Sequence, residues 1–196
     1  MLLMPRTGSS FCEEVISRVM PTAMMHSTPA IEMDGFTKHN HRNYMPVDYK
    51  LHPVVGVKRN VLDLWVSWYF YGMWDTLFHS EPWPGDISFD KYYRTIESDG
   101  RKYIGNNASG GFAGDFYNAM FADSNGKVED VRFLDFSELN FEVYRLLKEC
   151  GYDDERILVE PPHNNDTYRC GRHWDSVISE ETAELILESE KNGILK

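Results

Sequence analysis

Pro5-Arg6-Thr7-Gly8-Ser9-Ser10-Phe11-Cys12 follows a short apolar run, Leu2-Leu3-Met4, and leads into a stretch where Phe11, Val15 and Val19, joined by Cys12 and Ile16, recur at helical spacing. The order is strand, turn, helix, with Pro21 closing the helix. A turn of this kind aims backbone N–H groups at the mouth of a helix, where the dipole favours an anion. Gly8 lets the backbone approach closely. Thr7, Ser9 and Ser10 add hydroxyl donors, and Arg6 adds a permanently charged planar fork. The chemistry implied is the holding of a phosphate or sulfate group. Taken alone, the same residues read equally well as an ordinary strand–turn–helix junction with capping serines.

Further along, Val54-Val55-Gly56-Val57 predicts a buried strand, followed by Lys58-Arg59-Asn60 and a helix from Val61 to about Tyr71 that Asn60 can cap. Ser88 is placed to cap a helix running through Ile96, and a short helix is expected over 115–121. Val131 to Phe136 predicts a strand, Asn140 a cap for a helix to Cys150, and Gly151 its stop. Ser179 begins a last helix, with Glu180 and Glu181 in its first turn and Gly193 at its close. Residues 21–53 read as irregular and 98–114 as a mobile stretch. Strands alternating with helices predict an α/β domain spanning 1–196, with a central, mostly parallel sheet flanked by helices.

The length, 196 residues, suits one domain with a real core. A net charge of −11 argues against a nucleic-acid surface, so any anion site must be a local basic pocket. Cys12, Cys150 and Cys170 form no CxxC pair, which points to a reducing compartment, the cytoplasm, and no disulfide framework. No apolar run approaches a membrane span, no signal-peptide pattern opens the chain, and the sequons at Asn107 and Asn165 are read as accidental. No GxxxxGK[ST] occurs, which weakens a kinase or NTPase reading.

A second anion-binding element lies at Arg59 and Ser67, a guanidinium just before a helix mouth and a hydroxyl about two turns into that helix. The commoner fate of such a pair is an exposed Arg and a helix-face Ser. With this element the residues carry a resemblance. Pro5 to Ser10 is similar to the 5′-phosphosulfate loop of sulfotransferases, and Arg59-Asn60-Val61-Leu62-Asp63-Leu64-Trp65-Val66-Ser67 resembles their 3′-phosphate motif. Leu134 to Leu139 is similar to the strand end that follows in that family, and the helix from Phe141 to Gly151 matches the one after it. Tyr168 to Trp174 resembles the late R-x-G-x-x-W loop. The blocks occur in the family's order and cover most of the chain. Arg6 stands where many cytosolic members have Lys, Val61 replaces a usual Pro, and the chain is shorter than typical members.

The resemblance implies a P-loop-like three-layer fold that binds 3′-phosphoadenosine 5′-phosphosulfate (PAPS), transfers its sulfuryl group to a hydroxyl, and releases 3′,5′-ADP (PAP) without a metal. Arg6, Thr7, Gly8, Ser9, Ser10 and Phe11 would hold the 5′ end of the donor. Arg59 and Ser67, with the late loop at Arg169, Cys170 and Gly171, would hold the 3′-phosphate. Arg6 would also stabilise charge on the departing phosphate. For the general base the order of preference is His39, Glu32, His41, since Thr37-Lys38-His39 resembles the family's Lys-Thr-His segment with two residues transposed. These histidines read otherwise as decoration of a polar loop, and His39-Asn40-His41 lacks a convincing third metal ligand. The expected acceptor is a small hydroxylated compound, with glycan and peptide left open. The alternatives are a non-catalytic 3′-phosphonucleotide-binding protein on the same fold and a small kinase-like phosphotransferase.

Overall fold

The computed structural model describes residues 9–19, 32–33, 36–37, 54–71, 87–100, 110–121, 131–153, 155, 158 and 173–191. In chain order the elements are α1 (Ser9–Val19), β1 (Glu32–Met33), β2 (Phe36–Thr37), β3 (Val54–Lys58), α2 (Val61–Tyr71) and α3 (Phe89–Thr95). A π-helical turn (Ile96–Gly100) continues α3 and is followed by α4 (Phe112–Phe121), β4 (Val131–Asp135), α5 (Leu139–Glu149), a 3-10 turn (Trp174–Ser176) and α6 (Glu180–Glu190).

β3 and β4 form a parallel pair in register from Val54 opposite Val131 to Lys58 opposite Asp135. The Phe136 N–H donates to the Lys58 carbonyl at 2.9 Å and carries the ladder one step further. Parallel strands need a long crossover, and α2, α3 and α4 lie between them in sequence. The pair is packed on both faces, with Leu134 the one fully buried residue of β4. Val55, Val57 and Leu134 pack with Phe11, Cys12, Val15 and Ile16 of α1 and with Leu139, Val143 and Leu147 of α5. Burial pushes the Cys12 thiol up to about 12.

On the other face, Phe133 meets Phe121 of α4 edge to face at 5.1 Å between centroids. Gly56 is needed there: a Cβ would stand 2.5 Å from the Phe121 Cζ and 3.1 Å from the Phe133 ring. β3 thus alternates aliphatic on one face and glycine on the other, so that a phenylalanine can lie across its backbone.

α2 is apolar around most of its circumference, and such a helix has to be covered all round. It packs against α3, α6 and the 3-10 turn. Trp65 and Trp68 are fully buried at its centre, 5.3 Å apart and edge to face. Tyr69 reaches out of the helix and donates to the Ile87 carbonyl at 2.8 Å, tying α2 to the start of α3.

Several expectations hold. β3, α2, β4 and α6 lie where the patterns put them. Ser88 and Ser179 cap their helices, accepting from the Lys91 N–H at 3.4 Å and the Thr182 N–H at 3.2 Å. Gly151 ends α5 with φ of 89°.

Others are corrected. Residues 21–53 hold an antiparallel pair, Glu32 opposite Thr37 and Met33 opposite Phe36; Asp34-Gly35 between them is the sequence signal of a two-residue hairpin. The stretch 98–114 is helical at both ends, in the π turn and in α4. α4 starts three residues earlier than Asp115 because carboxylates distant in sequence cap it. Asn140 does not cap α5. Asp135 Oδ1 accepts from the Ser137 N–H at 2.8 Å, the chain turns there, and Glu138 takes the cap position without a side-chain bond. That lets Leu139 enter the α1–β3–α5 cluster. The close of the last helix at Gly193 lies outside the described residues. Among the described residues no helix is long and apolar enough to cross a membrane.

Candidate functional site

Where β3 ends, Asn60 Oδ1 accepts from the Leu62 N–H at 3.0 Å and the Asp63 N–H at 3.3 Å. This is the cap the sequence predicts. It fixes the direction of α2, and Arg59 stands just before the helix mouth. Arg59 is only 6% exposed, and its guanidinium carbon lies 4.3 Å from the centroid of the Phe136 ring. Cation and ring hold each other in place at the ends of adjacent parallel strands. On β4, the Asp135 carboxylate also accepts from the Ser137 hydroxyl at 2.7 Å. That bond first, then the one from the Ser137 N–H, holds Asp135 below the usual carboxylate range.

These groups wall a cleft of about 710 Å³, which α6 closes with Leu187, Glu190 and Lys191. The cleft opens at the carboxyl ends of both parallel strands, where α/β sheets place their ligands. Lys58, Arg59 and Lys191 line it against Asp63, Asp135 and Glu190. In a chain of net charge −11 it is a place of local balance.

Glu190 is the least expected member. It is 3% exposed. Its two oxygens accept from the Ala113 and Gly114 N–H groups, each at 2.8 Å. Glu97 accepts from the neighbouring Phe112 N–H at 3.1 Å. Two carboxylates from elsewhere in the chain therefore satisfy the orphan donors at the start of α4. Gly111 makes the approach possible, since a Cβ there would lie 2.3 Å from a Glu190 oxygen. Burial pushes the Glu190 carboxyl up to about 7, against the pull of the two N–H donors and with Glu97 and Asp115 adding to the rise.

The residues proposed from sequence fall into four groups. Arg59 lines the cleft. Ser67 is buried in α2 and is not part of the cleft wall, and Phe11 is buried in the α1–β3–α5 cluster. Ser9 and Ser10 are the first two residues of α1, and Glu32 lies on β1. Arg6, Thr7, Gly8, His39, His41, Arg169, Cys170 and Gly171 lie outside the described residues. Trp174, the last residue of the late-loop block, is half-buried and packs on the aromatic cluster. Among the described residues no group of three or more His, Cys, Asp or Glu is arranged to hold a metal ion.

Sequence reasoning gave no site role to Phe136, Ser137, Glu190 or Lys191. For Phe136 and Ser137 the signal was their place at the end of a predicted strand. Glu190 carried none, because its partners lie more than seventy positions away in sequence. Comparison with protein-family models, curated proteins and solved structures finds no match for the chain.

Proposed function

We propose that the chain is a PAPS-dependent sulfotransferase and that the cleft at the ends of β3 and β4 takes the 3′-phosphate end of the donor. The observation that carries this reading is the placement of Arg59: at the carboxyl end of a parallel strand, before a capped helix mouth, braced on Phe136 and facing a cleft of about 710 Å³. Helices on both faces of the β3–β4 pair agree with a three-layer, P-loop-like sheet, of which this pair would be one part. The ordered sequence blocks supply the rest. The turn from Arg6 to Ser10 would bind the phosphosulfate at the head of α1, and Arg169 to Gly171 would close over the 3′ side.

In this mechanism an acceptor hydroxyl attacks the donor sulfur in line and 3′,5′-ADP leaves. His39, or failing it Glu32 or His41, takes the hydroxyl proton. Arg6 and the N–H groups of its turn stabilise the charge that grows on the departing phosphate. No metal is required, and a small hydroxylated compound is the proposed acceptor.

Hydrogen bonds to charged groups contribute roughly 1.5–3 kcal/mol each. Arg59→Ala should therefore weaken 3′,5′-ADP binding by at least about tenfold in titration calorimetry. Equal affinity in wild type and variant would remove Arg59 from the site. A non-catalytic binding protein on the same fold would show the same loss on Arg59→Ala, yet transfer no sulfate from PAPS to any of a broad panel of alcohols and phenols.

A further inference from the structure

We infer that Glu190 couples anion binding in the cleft to the uptake of a proton. The inference rests on the cleft's assignment as an anion site and adds a form of regulation to it. The geometry comes first. Glu190 lines the same cleft as Arg59 and Lys191, so an anion drawn to those cations enters the field of a carboxylate. That carboxylate cannot swing away into solvent. It is 3% exposed and anchored through both oxygens to the first turn of α4.

The charges facing Glu190 come from every element around it. Glu97 on the π turn and Asp115 on α4 add to burial in disfavouring its ionised form. Asp63 at the head of α2 is a further acid in the cleft, Arg59 after β3 brings a guanidinium to it, and Lys191, next in the chain, is already paired with Glu188. From the sheet ends, Lys58 and Asp135 offset each other. With Glu190 ionised, cations and anions in the cleft wall are equal in number; with Glu190 neutral, one positive charge is left over.

Burial holds the carboxyl at about 7, so this change of balance falls across neutral pH. An arriving anion repels the ionised form and favours the neutral one. A proton then moves from solvent to a Glu190 oxygen, no other covalent bond is made or broken, and the N–H bond to that oxygen weakens. By reciprocity, protonation must tighten the anion by the same factor as the anion tightens the proton.

The test is calorimetric titration of the full chain at about pH 6 and about pH 8, in buffers of differing ionisation heat, with 3′,5′-ADP and separately with inorganic pyrophosphate. Wild type and Glu190→Gln are compared, so that the ligands' own phosphate ionisations cancel. The expected result is that the wild type gains roughly tenfold in affinity at the lower pH relative to the variant, and that only the wild type takes up a proton. An identical pH dependence in both proteins overturns the inference and leaves the sulfotransferase reading standing. Pyrophosphate binding with proton uptake, but no 3′,5′-ADP binding, upholds the coupling and overturns the nucleotide reading. No binding of either probe overturns both. Should Glu190→Gln fail to fold, the carboxyl ¹³C shift of Glu190 in labelled wild type decides: its midpoint must rise when ligand is added, and an unmoved midpoint overturns the inference.

Discussion

α2 meets α3 and α4 through rings, whereas β3 and β4 meet α1 and α5 largely through aliphatic branches. In the first region Trp65 alone lies against Trp68, Tyr93 and Phe112, with centroids 5.0–5.9 Å apart. In the second, Val55, Val57, Leu134, Val143 and Leu147 fill the space between sheet and helix. Rings bury more area per side chain and gain from edge-to-face geometry. They also bring polar edges inside. The indole N–H groups of Trp65 and Trp68 are buried and find no acceptor among the described residues, and an unmet buried donor costs about 1–3 kcal/mol. The aromatic region therefore holds its stability in a few large side chains and accepts polar losses to do so. The aliphatic region spreads smaller contributions evenly and keeps the strand ends at a fixed height beneath the cleft.

Truncation should expose this difference most strongly. Trp65→Ala is expected to cost about 3–5 kcal/mol, as large aromatic deletions in cores do. Leu134→Ala, equally buried in the aliphatic region, should cost less, near the lower part of the roughly 2–5 kcal/mol range for that change. Urea denaturation of both variants reads the gap directly. A larger loss for Leu134→Ala would reverse the comparison.

The second effect is one of pH. Glu190 fastens α6 to α4, both helices of the aromatic region, and its carboxyl is raised from 4.5 to about 7 in the folded protein. A carboxyl raised on folding gives stability that is fully present below the unfolded value and is lost as pH rises through the folded one. On the order of 3 kcal/mol should disappear between about pH 4.5 and pH 7. Melts of Glu190→Gln should lack that slope, although Gln leaves one N–H without its acceptor and starts from a lower stability. A slope kept in the variant would assign the pH dependence to other groups.

The smallest expected effect belongs to the boundary between the two regions. Asn60→Ala removes the cap that directs α2 away from β3 and should cost about 1 kcal/mol. An effect within a few tenths would mean that packing alone sets the direction of α2.

Local chemistry made part of this legible in the sequence. Asn60, Ser88 and Ser179 were readable as caps because a cap is settled within three residues, and Gly151 because a helix stop at positive φ favours glycine. β3 and β4 were readable as buried strands by their apolar runs. Their pairing and their common cleft depend on a crossover of three helices. The start of α4 was misread because its caps, Glu97 and Glu190, come from 15 and 77 residues away. Nothing in a window around Phe112 carries that information. The brace of Phe136 on Arg59 was hidden for the same reason: it joins the ends of two strands that meet only in the folded chain.

The contrast between Cys12 and Cys150 turns the molecule into its own probe. Cys150 is exposed at the end of α5, while Cys12 is sealed beneath α1 with a thiol held almost entirely protonated at neutral pH. A thiolate-seeking reagent should label Cys150 at once and reach Cys12 only when the first helix lifts from the sheet. The rate of that slow labelling would clock the lifting of α1 from the β3–β4 pair.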